Sequence, residues 1–407
     1  MNFRSKLGAW LGVVCLAVFF TVFGTPFEFV GGGQDAFAQD ASTSIAPKAP
    51  GSSVRPPALQ KWGGPAAVPA NVVPQPSKPT VWGRIRLGAK GFVSTPDLNA
   101  GLLVQSQGQR WREFRMKDLT QFGTRMLVAV IVVLFIYFIL RGRIKISKGW
   151  SGRTLLRFNN LERFTHWLTA VPFIILGLTG LNLMYGRDVV LPIIGPEAFS
   201  TSLIAGKYLH NFMGFAFILG IILMIVLWVR DNIWDKYDLN WILAAGGLFS
   251  KNSHPPAKKF NTGQKFIFWS VVIAGGSLAF SGIALMFPFE LSPFEPTFAL
   301  LNSIGFNLPT NLEAIQEMQL MQAWHAILAL VMIGVIIAHI YIGTLGMEGA
   351  IDAMWSGEVD ENWARDHHAA WVAEVKGEPE PAPGNNHPAG SEAGVPEAGV
   401  TESASND

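Results

Sequence analysis

Five long apolar segments stand out along the chain, at about residues 124–140, 164–185, 209–229, 266–287 and 321–345. Each comes near the roughly 20 residues that a helix needs to cross a hydrocarbon core. Lipid offers no water to satisfy backbone N–H and C=O groups, so a spanning segment must be a helix or part of a closed barrel. Runs of this length fit helices. The segments between them are polar and read as loops and tails. The pattern predicts an all-α integral membrane protein.

Ahead of these spans, residues 1–38 read as a secretory signal. Arg4 and Lys6 give a basic start, an apolar run follows over residues 7–23, and Ala36-Phe37-Ala38 offers an A-x-A cleavage site before Gln39. The run exceeds the roughly 7–15 residues of an ordinary signal core, which leaves an uncleaved anchor as the alternative. Residues 39–120 turn to Pro, Gly, Ser and Ala, as in PGSSVRPPALQKWGGP. Such a stretch buries too little apolar surface to offset chain entropy and reads as an extended extracytoplasmic linker. Residues 121–145 then supply one added transmembrane anchor, residues 150–350 hold the other four spans, residues 351–376 form a cytoplasmic helix, and residues 377–407 make an acidic, disordered tail.

Charge sets the orientation. The connection after the first span, RGRIKISKGWSGRTLLRFNNLER, carries seven Lys or Arg and one acid, whereas the loop from Phe287 to Met321 carries no Lys or Arg. The first of these is therefore cytoplasmic. Counting onward, residues 187–207 lie outside, residues 230–265 inside, residues 288–320 outside and the C-terminal tail inside. Arg110, Arg112, Arg115, Lys117 and Arg125 oppose this order by preceding the first span, but a cleaved signal commits that segment to export whatever its charge. The expected location is a bacterial inner membrane, with the mature N-terminus periplasmic and the C-terminus cytoplasmic.

Composition narrows the chemistry. Half of the 407 residues are hydrophobic and 15% are charged, against about 25% charged in ordinary soluble domains. The net charge of +2 comes without a dense basic stripe, so nucleic acid is not the partner. Cys15 is the only cysteine. The chain has no means to ligate an iron–sulfur cluster through four thiolates, to attach haem through C-x-x-C-H or to close a disulfide within itself.

Four of the eight histidines fall in the apolar spans: His166, His210, His325 and His339. Ionisable groups at membrane depth are costly and mark function by default, although a single histidine hydrogen-bonded across a helix interface is as common. Their arrangement carries more weight. His325 and His339 are 14 residues apart on one helix, about 21 Å of rise and a rotation about 40° short of four turns, so both face one side. The topology pairs His210 with His325 near the outer surface and His166 with His339 near the inner one. Two imidazole pairs at two depths in a helical bundle are what two bis-histidine b haems require. A proton relay or a single metal is the alternative, and neither explains two layers. Gly177, Gly180, Gly214 and Gly282 lie close by and could admit a flat macrocycle, with close helix packing as the other reading.

The stretches NNLERFTHWLTAVPFIILGLTGL, GKYLHNFMGFAFILGIILM, KKFNTGQKFIFWSVV, WHAILALVMIGVIIAHIYIGTL and DENWARDHHAAWVAEV resemble the cytochrome b (gamma) subunit of membrane-bound respiratory formate dehydrogenase, from about Arg157 to Val375. The resemblance implies a four-helix membrane bundle holding two b haems through His166, His210, His325 and His339, to which the span near residues 124–140 is an addition. That added span contains no histidine or acid and is expected to act as an anchor or subunit contact. The resemblance also implies that the N-x-G-Q-K element, here Asn261, Gly263, Gln264 and Lys265, lies by a pocket for quinone, menaquinone or ubiquinone. Asn and Gln amides suit quinone carbonyls, although such a loop alone is more often a turn before a helix. His254, His367 and His368 are expected to be solvated, and His387 to sit in the disordered tail.

The same resemblance implies partners: an iron–sulfur (beta) subunit and a molybdenum or tungsten catalytic (alpha) subunit. Nothing in this chain suits formate oxidation itself. Electrons would enter at the haem of His210 and His325, pass to that of His166 and His339, and reduce quinone near Asn261–Lys265 with cytoplasmic protons. Arg157, Arg163 and Lys207, near helix ends, are candidates for pairing with haem propionates, with lipid phosphate an equal alternative. Two rival functions stand beside this one. The chain could be the cytochrome b subunit of a hydrogenase or thiosulfate reductase, or a haem-free membrane anchor or transporter whose histidines relay protons or bind substrate.

Overall fold

The computed structural model describes residues 108–250 and 253–384. The signal expected at residues 1–38, most of the linker, His387 and the end of the tail lie outside the described residues.

Among the described residues, five helices are long and apolar enough to cross a membrane: Gly108–Arg141, Asn160–Val189, Leu191–Trp228, Thr262–Met286 and Ala314–Gly346. Each runs past its apolar stretch into polar sequence, and caps explain two of the starts. Asn159 Oδ1 accepts from the Glu162 backbone N–H at 3.0 Å while Glu162 Oε2 accepts from that of Asn159 at 2.9 Å. Asn261 and Gln264 repeat this reciprocal box at the start of Thr262–Met286. Each box satisfies two donors that a helix start otherwise leaves open. The first helix also begins at Gly108, inside the stretch expected to be linker up to residue 120. Its basic residues hid Phe114 and Leu119, which are buried in an apolar cluster.

The described chain divides into two compact units. One comprises residues 108–130, Ile174–Gly214 and Gly276–Gly334; the other comprises Ile131–Phe173, Phe215–Gly275 and residues 335–384. In the first unit, Phe114, Leu119 and Met126 of the added helix bury against Ala323 and Leu330, with Leu181, Met184 and Tyr185 alongside. Tyr185 donates its hydroxyl to the Thr120 carbonyl at 3.0 Å. A side chain at Gly123 would overlap that hydroxyl and Leu330. The added helix is thus packed into this unit's core. Along its apolar part Val128, Phe135 and Ile139 remain exposed, as suits a surface facing lipid.

The second unit carries a polar cap. Strands β1 (Thr154–Leu156) and β2 (Glu358–Asp360) pair antiparallel, with Thr154 opposite Asp360. Three-residue strands show no alternation to read, and none was expected. Asp360 caps helix Glu361–Lys376 by accepting from the backbone N–H of Asn362 at 2.8 Å. That helix buries Trp363, Ala364, Ala370, Trp371 and Val372, kinks at His368 and ends at Gly377, whose φ of +67° suits glycine.

The expectation of solvated histidines fails here. His368 is 0% exposed and its Nδ1–H donates to the Lys258 carbonyl at 2.7 Å. His367 is half-buried, its ring centroid 5.2 Å from that of Trp363 and 6.2 Å from that of His254, itself half-buried. The charged residues around D-H-H suggested a solvated face, whereas the tryptophans and alanines between them bury it. Burial, then the neighbouring His254 and Arg157, push the His367 imidazole down to about 3. Burial and Arg157 push His368 well below its ordinary value. An unfolded cap would take up protons below about pH 6.5 that these rings refuse, so this packing is stable above that pH and loses stability as pH falls towards the folded values. Protection of residues 361–376 against hydrogen exchange, taken relative to the intrinsic amide rate at each pH, is expected to fall between about pH 7 and 5, and His367→Phe to weaken that fall. Protection that stays constant over this range would contradict neutral imidazoles in the folded cap.

Candidate functional site

His210 and His325 come together in the first unit. Their ring centroids are 6.3 Å apart, with planes at 62°. Two metal–nitrogen bonds of roughly 2 Å and two ring radii of roughly 1 Å span about 6 Å, so this spacing fits one metal held between two imidazoles. Each ring also meets a hydroxyl. Thr179 Oγ1 lies 2.8 Å from His210 Nδ1, and Ser281 Oγ lies 2.8 Å from His325 Nδ1. The residue after each hydroxyl is glycine. A Cβ on Gly180 would sit 3.7 Å from His210 Cε1, and one on Gly282 would sit 3.5 Å from His325 Cε1.

His166 and His339 belong to the second unit and interact electrostatically. The Nδ1 of His166 is buried without a hydrogen-bond partner. One turn after His210 and His339, Cβ atoms added to Gly214 and Gly343 would meet nothing within 4 Å, which leaves room for a flat ring against each helix. Gly177, by contrast, packs against Ile333. Among the described residues no group of three or more His, Cys, Asp or Glu side chains is arranged to hold a bare metal ion. Two imidazoles per site suit a metal whose other ligands come from a macrocycle.

The loop residues are held by structural bonds. Asn261 Oδ1 accepts from the Gln264 backbone N–H at 3.0 Å, and Gln264 Oε1 accepts from that of Asn261 at 3.1 Å. These bonds use the amide oxygens and leave the NH2 groups out. Arg157 donates to Gln264 Oε1 at 3.1 Å and to the Lys259 carbonyl at 2.6 Å, and stacks on Phe158 and Trp363. Burial pushes the Arg157 guanidinium down to about 9. Gly263 lies against Trp241. Lys265 is 2% exposed and bonds to Asp235 at 3.0 Å and Asp238 at 2.8 Å, while Thr262 donates to Asp238 at 2.7 Å.

Of the three cations near helix ends, Arg163 donates to Asn160 and to the Trp355 carbonyl, and Lys207 is exposed. Glu162, which the sequence reading passed over, is buried and accepts from Trp228 Nε1 at 2.9 Å and from Lys259. Thr179 and Ser281 were passed over as well. Their signal was a hydroxyl residue directly before glycine in each of two spans.

Residues 157–357, about half of the chain, match the model of the prokaryotic cytochrome b561 family, a match that takes in all four histidines. The chain belongs to that family. Membership implies haem b, in agreement with the paired imidazoles, and a multi-pass membrane protein, in agreement with the five helices. This cytochrome b561-family protein also resembles formate dehydrogenase cytochrome b subunits. It is 26% identical over 228 residues to the cytochrome b556 subunit of nitrate-inducible formate dehydrogenase of Escherichia coli K12, covering 56% of this chain and 94% of that protein. A second Escherichia coli formate dehydrogenase cytochrome b556 subunit is 27% identical over 224 residues, 55% of this chain and 94% of that one. The corresponding subunit of Haemophilus influenzae is 26% identical over 222 residues, 54% and 83% of the two chains.

Replacing Lys265 with Met would leave two carboxylates facing a buried gap. Breaking such a pair typically costs about 3–5 kcal/mol, so the thermal midpoint of purified Lys265→Met is expected to fall clearly. An unchanged midpoint with weaker quinone binding would show instead that Lys265 is a free ligand of quinone.

Proposed function

We propose that this protein is the membrane cytochrome b subunit of a formate dehydrogenase, that it holds one b haem in each histidine pair, and that it delivers electrons to quinone. The observation that carries this reading is the 6.3 Å separation of the His210 and His325 rings; the second haem is assigned to His166 and His339. Bound haem would supply one-electron transfer between an iron–sulfur partner and the quinone.

The chain's own residues orient and insulate that chemistry. Histidine ligates iron through an imidazole nitrogen that carries no proton, and the four rings stand on apolar helices. At the cap, the boxed Asn261 and Gln264 keep their NH2 groups as donors for a quinone carbonyl, and Arg157 fixes the orientation of the Gln264 amide. Lys265 holds the helix start in place through Asp235 and Asp238. Its role on this reading is to shape the pocket.

The orientation follows from the basic loops: the Asn261–Lys265 loop and helix Glu361–Lys376 face the cytoplasm, and the added helix enters from the periplasm. Electrons released outside would then meet protons taken up inside. Moving one charge against 100 mV corresponds to about 2.3 kcal/mol, so this arrangement contributes to a membrane potential. The catalytic molybdenum or tungsten subunit and the iron–sulfur subunit are the partners this role requires. The curated relatives favour formate over hydrogen or thiosulfate as the electron source, because those compared above are all subunits of formate dehydrogenases.

The complex purified through this chain is expected to reduce quinone with formate and to carry two b haems per chain. His339→Ala should lose about one of the two and retain the other, and His210→Ala should do the same at the other pair. A single haem in the native chain, or loss of both from either variant, would contradict the pairing; hydrogen-dependent activity without formate activity would contradict the partner.

A further inference from the structure

The two histidine pairs are not equivalent in what holds their rings. Thr179 Oγ1 lies 2.8 Å from the Ile175 carbonyl and 3.1 Å from that of Leu176, and Ser281 Oγ lies 3.0 Å from the Leu278 carbonyl. A carbonyl only accepts, so each hydroxyl gives its proton to its own helix and turns a lone pair outward. The group 2.8 Å away in that direction is a histidine Nδ1. That nitrogen must therefore carry the proton and donate it, which fixes the tautomer and leaves Nε2 with a free lone pair. The same hydroxyl contact thus seats both His210 and His325, from two different helices.

His166 has no such support: its Nδ1 is buried without a partner. A ligand imidazole that donates its second N–H to an oxygen becomes more basic towards the metal. A more basic axial ligand favours the oxidised metal and lowers its reduction potential. We propose that Thr179 and Ser281 are positioning residues that hold the His210–His325 site at a lower reduction potential than the His166–His339 site, and so give electron transfer between them a direction. The inference rests on the reading that each pair holds a haem. It requires no new group: one electron leaves the first site for each that arrives at the second, and no proton moves on the hydroxyls.

The test is an optical redox titration of the purified complex, with haem content measured in parallel. The haem count of the wild-type complex is read first: absence of haem there would overturn the haem reading itself, independently of the hydroxyls. In Thr179→Val and Ser281→Ala, both haems are expected to remain, with one midpoint moved upward, the other unmoved, and a larger shift in the double variant. Thr179→Ser, which keeps the hydroxyl, is expected to restore the wild-type midpoint. Two unmoved midpoints, equal movement of both, or a Thr179→Ser variant that behaves like Thr179→Val would overturn the proposal.

Discussion

An imidazole buried among membrane helices has two ring nitrogens to place, one a donor and one an acceptor, and the rest of this structure depends on where they go. In water both are satisfied at no cost; at hydrocarbon depth an unmatched polar atom costs several kcal/mol. For His210 and His325 the donor goes to a hydroxyl that is itself committed to its helix backbone, which leaves Nε2 with a free lone pair. The sequence around them serves that arrangement. Small residues stand beside the rings, apolar residues exclude water, and the added first helix thickens the wall by packing Phe114, Leu119 and Met126 against the helix that carries His325.

The polar cap answers a different constraint. It brings a buried guanidinium, a buried ammonium and several carboxylates together in one unit, and each charge has partners on neighbouring segments: Arg157 on the Lys259 carbonyl and Gln264, Glu162 on Lys259 and Trp228, Lys265 on Asp235 and Asp238. Buried pairs of this kind add little net stability over apolar residues but make loss of one partner costly. Their effect is to fix the loop that precedes Thr262 in one conformation. The Asn261 and Gln264 amides are held in one orientation by this network.

Much of this was legible in the sequence, for physical reasons. The spans were visible because lipid demands long apolar runs, and the histidine pairs because helical geometry converts 14 residues into depth and direction. The hydroxyls of Thr179 and Ser281 were not, since a lone Ser or Thr in an apolar helix usually bonds its own backbone, and these do so as well. The histidines of the cap were not legible because D-H-H looks solvated until Trp363 packs against both rings. The short strands were invisible because their pairing is made at long range, residue 154 with residue 360. Local pattern reports elements, and the partners of a polar atom are set by tertiary structure.

Haem ligation by the four histidines can be read from the visible spectrum of the purified protein reduced with dithionite. A low-spin b-type signal is expected. A reduced spectrum with no such signal from intact, folded protein would contradict that ligation and return the histidines to a proton relay or a substrate site.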